Sequence, residues 1–342
     1  MFILIISFKH ILPSITMKFP IGFSIPEEKI IDYVKGKTKV LSTLIPGNMS
    51  TYTFQSEETY YKEYQESVFA LTYKKGGYDC MRHYEILANG CIPWFVGLQD
   101  VPLNRLTHFP KELVLEAMSV LGENAKLDDS IEKHIEESKK LYGFVDSTER
   151  KDSILKVSVD NPLIEKYSSL LLEYTRKNLT TEAMAKYMLS VSGNSAAKSV
   201  LYLSRDIDPD YQRCVTLHGF KKLLGKECHD FPCIPHLYTD FGKERAKGLY
   251  GKGISYTCLL EKEQYRNDQY DSTLEDSIKN HKYDVIVYGS IHRGIILWDL
   301  VNKYYKPNEV LLVCGEDHNS NYGTPCEYMN ENFPHPMFIR EL

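Results

Sequence analysis

The 342-residue chain has no apolar run long enough to cross a bilayer, which takes about 20 residues as a helix. Its apolar opening, Met1 to Phe8, has no basic residue ahead of it and no small-x-small cleavage pattern behind it. A buried strand is the expectation there, with a signal anchor as the alternative. There is no surplus of positive charge either: 41 Lys and Arg against 46 Asp and Glu leave a formal charge of −5. A general nucleic-acid binder needs a basic field, so that class of partner is set aside, while a local pocket for a small anion is not. No GxGxxG follows the first strand of either half, which weakens a dinucleotide-dependent oxidoreductase or a methyltransferase. The eight cysteines contain no CxxC and no metal-ligand spacing, so no metal site is read from them. Several fall inside apolar runs, Cys314 in VLLVCGED among them. Small buried thiols in a reducing, cytoplasmic compartment are therefore expected, and the sequons at Asn48 and Asn178 then carry no meaning.

What is present is an ordinary globular composition, 43% hydrophobic and 25% charged, at a length that suits two domains. Strand-like and helix-like stretches alternate through residues 30 to 118. KVLSTLIPG from Lys39 and SVFALTYKK from Ser67 read as strands, with SEETYYKEYQES between them as a capped helix. DCMRHYEILANG is a helix stopped at Gly90, CIPWFVG a strand, and FPKELVLEAMSVL a further helix. Residues 127 to 188 are charged and helical in pattern, and the small, polar stretch VSGNSAAKS from Val191 marks a boundary. The rhythm then restarts: SVLYLSRDID, KYDVIVYGSI and EVLLVCGEDH read as strands, with YQRCVTLHGFKKLLG and GIILWDLVNKYY as helices. The expected fold is α/β, with two Rossmann-like domains over residues 1–192 and 197–342.

Two groups of residues carry candidate chemistry. The first lies in KKGGYDCMRHYEILANGCIPWF, Lys74 to Phe95. Gly76 and Gly77 let a backbone pass close to a ligand, and the helix start behind them offers unpaired N–H groups. Lys74, Lys75 and Arg82 add positive charge, and Arg suits bidentate contact with phosphate oxygens. Glu85, one turn after Arg82, can accept from two vicinal hydroxyls of a ribose. The plainer account is an i,i+3 ion pair behind a turn, and GG followed by RxxE does not by itself decide between them. The second group follows the apolar strands of the second half: SRDID, YGSIHRG and CGEDHN. Carboxyl ends of parallel strands face one crevice, so Asp206, Asp208, His292, Arg293, Glu316, Asp317 and His318 are expected to converge. A carboxylate or histidine there can take a proton from a hydroxyl; the plainer account makes Asp206 or Asp208 a helix cap ahead of Tyr211. Of 25 tyrosines, Tyr60, Tyr61, Tyr250, Tyr256 and Tyr288 are placed near the crevice, a signal of little weight since Tyr is common on half-buried surfaces.

The order strand, glycine loop, helix with Arg82 and Glu85, then Gly90-Cys91-Ile92-Pro93 opening a strand resembles the exostosin family of glycosyltransferases, over roughly residues 40 to 115. It is closest to the exostosin-like enzymes of large DNA viruses of algae and protists. The resemblance implies a fold of the GT-B type, two domains facing a cleft, and inverting transfer of a sugar from a UDP- or GDP-linked donor to a glycan acceptor. No metal or cofactor is implied; an obvious DxD triplet is lacking, although Asp206-Ile207-Asp208 has that literal shape. Lys75, Gly76, Gly77, Tyr78, Asp79, Arg82 and Glu85 would bind the donor, and Asp206, Asp208, His292 and Asp317 are the candidates for the catalytic base. If the source is viral, the compartment is the host cytoplasm. The chain departs from the family in placing the donor-like half first, which leaves a swapped domain order or a piece of a tandem architecture. A non-catalytic nucleotide- or sugar-binding protein on the same scaffold is the alternative of a different class.

Overall fold

Ser67 to Thr72, SVFALT, is buried at every position, as a strand covered on both faces must be. It is the centre of the smaller of two main sheets in a computed structural model that describes residues 17–342 apart from 35, 123–124, 150–151, 154–155, 318–325 and 327–333. The apolar opening Met1–Phe8, and His318 and Asn319 of the CGEDHN stretch, lie outside the described residues. In chain order the strands are β1 (Lys18–Pro20), β2 (Lys39–Leu41), β3 (Ser67–Thr72), β4 (Ile92–Phe95), β5 (Ala125–Lys126), β6 (Asp152–Ser153), β7 (Val200–Leu203), β8 (Cys228–Phe231), β9 (Val285–Tyr288), β10 (Val310–Cys314) and β11 (Met337–Ile339). One sheet has the order β2-β3-β4 and the other β1-β11-β10-β9-β7-β8, with β5 and β6 a separate pair. Every pairing is parallel. The mixed α/β architecture with parallel, Rossmann-like sheets is thus the observed fold.

The helices follow their sequence signals. Glu57–Gln65 (α1) begins at Ser56, whose hydroxyl accepts from Thr59 N while Thr59 Oγ1 accepts from Ser56 N, a capping box with threonine in the glutamate's place. Met81–Ala88 (α2) ends before Gly90, which takes a φ of +62°. Lys111–Gly122 (α3), Asp129–Tyr142 (α4), Pro162–Asn178 (α5) and Thr181–Val191 (α6) cover the middle of the chain. Tyr211–Leu224 (α7) stops at Gly225, φ +57°.

Two expectations are corrected. Residues 18–20, grouped by rhythm with the first half, form the last strand of the second half's sheet, beside β11. Main-chain pairing across the molecule outweighs sequence order here. α6 likewise lies against α7: a Cβ on Gly219 would sit 2.1 Å from the Thr181 carbonyl oxygen. One apolar cluster therefore runs from Val68, Phe69 and Trp94 through Leu171 and Met184 to Val200, Tyr202 and Phe338. Cys314 is not a free thiol. It is bonded to Cys326, 12 residues further along the sequence. No helix among the described residues is long and apolar enough to cross a membrane.

In the larger sheet the chain passes from β7 outward to β8, then crosses back to β9 on the other side. This reversal makes the gap beyond the carboxyl ends of β7 and β9 the place where ligands sit in open α/β sheets.

Candidate functional site

The segments that follow β1, β2, β3, β7, β9, β10 and β11 all border one cleft of about 770 Å³. Carboxyl ends from both main sheets thus face a common space, large enough for a drug-sized ligand. One wall carries Lys75, Gly76, Gly77, Asp79, Arg82 and Glu85; the other carries Asp210, Gln212, His292, Arg293, Glu316 and Asp317. Met49, Tyr52, Phe54, Tyr60 and Tyr250 add an aromatic and apolar rim.

On the first wall, the ion pair between Arg82 and Glu85 is not made. The Glu85 carboxylate accepts from the Tyr60 hydroxyl at 2.7 Å and from the Ser255 hydroxyl. Ser255 also meets the Tyr61 hydroxyl at 2.7 Å, and its backbone N–H donates to Glu57 Oε1 at 2.8 Å. Burial raises the Glu85 carboxyl above its ordinary range. Glu85 therefore ties the segment after Tyr250 to α1 and α2, with two of its acceptor positions already used. Arg82 is left without an ion pair among the described residues. Its one side-chain hydrogen bond among the described residues is to Cys80 Sγ at 4.0 Å, the side chains of Tyr52, Tyr60 and Tyr64 lie near enough to act on its charge, and its Nε is buried without a hydrogen-bond partner. Lys75 is also unpaired by any carboxylate and lies 5.5 Å from the Tyr142 ring centre.

The glycines work differently from the expectation. A Cβ on Gly76 would lie 2.1 Å from Asp317 Oδ2, and one on Gly77 would lie 2.4 Å from Glu341 Oε1. The close approach they permit is to carboxylates of the opposite wall. Asp79 N donates to Glu341 Oε1 at 2.9 Å, and Arg340 donates to the Asp79 carbonyl at 2.7 Å and the Gly315 carbonyl at 2.9 Å. Arg340 also pairs with Asp317, so Asp317 joins the walls. Asp79 is buried, accepts from Phe23 N at 2.7 Å through Oδ2, and keeps Oδ1 without a partner. Burial pushes its carboxyl up to about 6, against the pull of Arg340 and His83. Tyr78 does not border the cleft; its carbonyl accepts from His83 Nε2 at 2.9 Å, which steadies the start of α2. Lys74 is buried and donates to the Tyr142 carbonyl.

On the second wall, Asp206 and Asp208 do not reach the cleft. Asp206 Oδ1 accepts from buried Arg213 at 2.9 Å, and Arg213 also holds the carbonyls of Asp206 and Asp208. That grip folds the loop so that Asp210, not either expected aspartate, caps α7, accepting from Arg213 N at 2.9 Å. Asp210 Oδ2 accepts from Arg293 Nε at 2.8 Å and from Ser290 Oγ at 3.1 Å, and lies 3.4 Å from His292 Nε2. Burial alone would raise the Asp210 carboxyl, but His292 and Arg213 hold it well below the usual range. Asp210 was missed because the reading stopped at the Asp-Ile-Asp triplet. Its one signal was its place directly before the first turn of a helical stretch. Arg340 and Glu341, in FIREL, had none.

His292 and the sulfurs of Cys314 and Cys326 lie within 4.8 Å of one another. The two sulfurs are bonded to each other, so they offer no thiolates to a metal. Of the five tyrosines placed near the crevice, Tyr60 and Tyr250 line it; Tyr61, Tyr256 and Tyr288 are buried beside it or in the sheet.

Among the described residues, buried polar atoms without a hydrogen-bond partner on the cleft include Tyr52 Oη, Asp79 Oδ1, Arg82 Nε, Gln212 Oε1 and His292 Nδ1. Buried polar groups are almost always satisfied; such atoms occur elsewhere too, Ser24 Oγ and Ser168 Oγ among them, but those on the cleft are on residues that a ligand can reach. No protein-family model, curated protein or solved structure matches the chain.

Proposed function

We propose that the chain transfers a sugar from a nucleoside diphosphate sugar to a saccharide hydroxyl, with inversion and without a metal, in a cleft of the GT-B kind. The observation that carries this reading is Arg82: a cation with no carboxylate ion pair among the described residues, on the wall of a 770 Å³ cleft at the carboxyl ends of two parallel sheets. An uncompensated guanidinium in a partly desolvated site is an anion receptor. Placed beside a departing diphosphate it would stabilise the charge that grows as the glycosidic bond breaks. Lys75 adds a second positive charge on the same wall. Glu85, held by Tyr60 and Ser255, keeps lone pairs for ribose hydroxyls, and the aromatic rim offers faces for a base or a sugar. The family likeness of residues 40 to 115 points to the same chemistry.

Calorimetry with UDP, GDP and their sugars tests it. Binding is expected in the wild type, weakened about 10-fold or more in Arg82→Ala, the loss typical of one charge-assisted contact. Equal binding by the variant, or no binding of any nucleotide by the wild type, sinks the reading. Mass spectrometry of products with mixed saccharide acceptors then separates an enzyme from a binding protein.

A further inference from the structure

The proposed transfer leaves open which group accepts the proton of the attacking hydroxyl, and we infer that it is His292 Nε2, with Asp210 as the positioning residue that stabilises the resulting imidazolium. This rests on the glycosyl-transfer reading. His292 follows β9 and Asp210 follows β7, the two strands between which the sheet reverses direction. Both line the cleft, on the wall opposite Arg82. Nε2 stands 3.4 Å from Asp210 Oδ2, where the carboxylate favours a proton arriving on that nitrogen, and Nδ1 has no hydrogen-bond partner among the described residues. Asp210 is the better anchored of the two, held by Arg213 N, Arg293 and Ser290. A fixed carboxylate beside an imidazole favours the protonated ring that forms during the reaction.

The other expected bases are spent elsewhere. Asp206 pairs with Arg213 and stands 3.8 Å from Arg293, Asp208 stands 3.9 Å from Arg293 without bordering the cleft, and Asp317 pairs with Arg340. Asp79, buried with Oδ1 unpartnered among the described residues, sits on the donor wall beside Glu341.

In the step itself, the acceptor O–H proton passes to Nε2 as the acceptor oxygen bonds to the anomeric carbon. The bond from that carbon to the β-phosphate oxygen breaks, and its electron pair leaves with the nucleoside diphosphate. Asp210 stays ionised and balances the imidazolium.

The test uses the full chain and the nucleotide sugar that calorimetry identifies, with release of nucleoside diphosphate as readout. His292→Ala is expected to bind the donor as the wild type does and to lose about 100-fold in turnover, the scale of one general base. Added imidazole should restore part of it. Asp210→Asn keeps a good helix cap, so it should fold and bind normally and lower kcat about 10-fold at unchanged KM. Turnover by His292→Ala within about threefold of wild type overturns the assignment, as does loss confined to Asp79→Asn. Failure of the wild type to bind any donor defeats the functional reading instead, before any variant is made.

Discussion

Asp79 sets burial against charge within a single side chain. Its carboxyl is raised to about 6 by burial, with Arg340 and His83 opposing and Glu341 adding to the rise. A carboxyl that holds its proton more tightly when folded loses stability as pH rises from its unfolded value, near 3.8, through 6. Two pKa units correspond to roughly 3 kcal/mol. Urea unfolding of the wild type and Asp79→Asn between pH 3.5 and 8 should therefore show the gap moving in the variant's favour from about pH 4 to about pH 6, then levelling. A pH-independent difference excludes Asp79 as the titrating group. The rise of the Glu85 carboxyl has a similar origin, and its partners show what single residues conceal: Ser255 lies 170 residues further along. Arg82 and Glu85 were legible as residues of one loop-helix edge, and both line the cleft, while their independence from each other was not legible. It depends on a hydroxyl that no spacing rule connects to α2.

Among the elements, α6 and α7 depend on one missing side chain. The Thr181 carbonyl leaves no room for a Cβ at Gly219, so Gly219→Ala must push the helices apart. A loss of about 1–3 kcal/mol is expected, read as a lowered thermal midpoint; an unchanged midpoint means the helices can shift without cost. Individual strands and helices were readable because their signals are local. SVFALT and VIVY are continuous apolar runs, Ser56 opens α1, and glycines close α2 and α7. The loop after β7 was not readable in the same way. Which of its three aspartates reaches the cleft is decided by Arg213, a fully buried cation that takes two carbonyls and one carboxylate and leaves Asp210 for the helix start. The membership of β1 was hidden for another reason: three residues, KFP, with an edge partner far away, carry no periodicity to read.

Across the whole molecule, the two walls of the cleft are joined by Arg340 and Glu341, which reach the Asp79 backbone, the Gly315 carbonyl and Asp317. Removing a buried cation strands its anionic and carbonyl partners, at a cost of about 3–5 kcal/mol. In Arg340→Met, amide hydrogen exchange should quicken around Gly76–Cys80 and Gly315–Asp317 while β3 keeps its protection. Uniform loss of protection would mean that Arg340 supports the entire fold and not the joint alone. The same end of the chain has a consequence for synthesis. Among the described strands, β11 is the neighbour of β1 and the outer neighbour of β10. Residues 18–20 leave the ribosome more than 300 residues before Met337–Ile339 exists to receive them. At roughly 5–20 residues per second the wait is some tens of seconds. β10 itself ends only 23 residues before Met337, about 1–5 seconds at that rate, so its edge is open to pairing with a neighbour's sheet only briefly before β11 covers it, while Lys18–Pro20 waits through the whole interval.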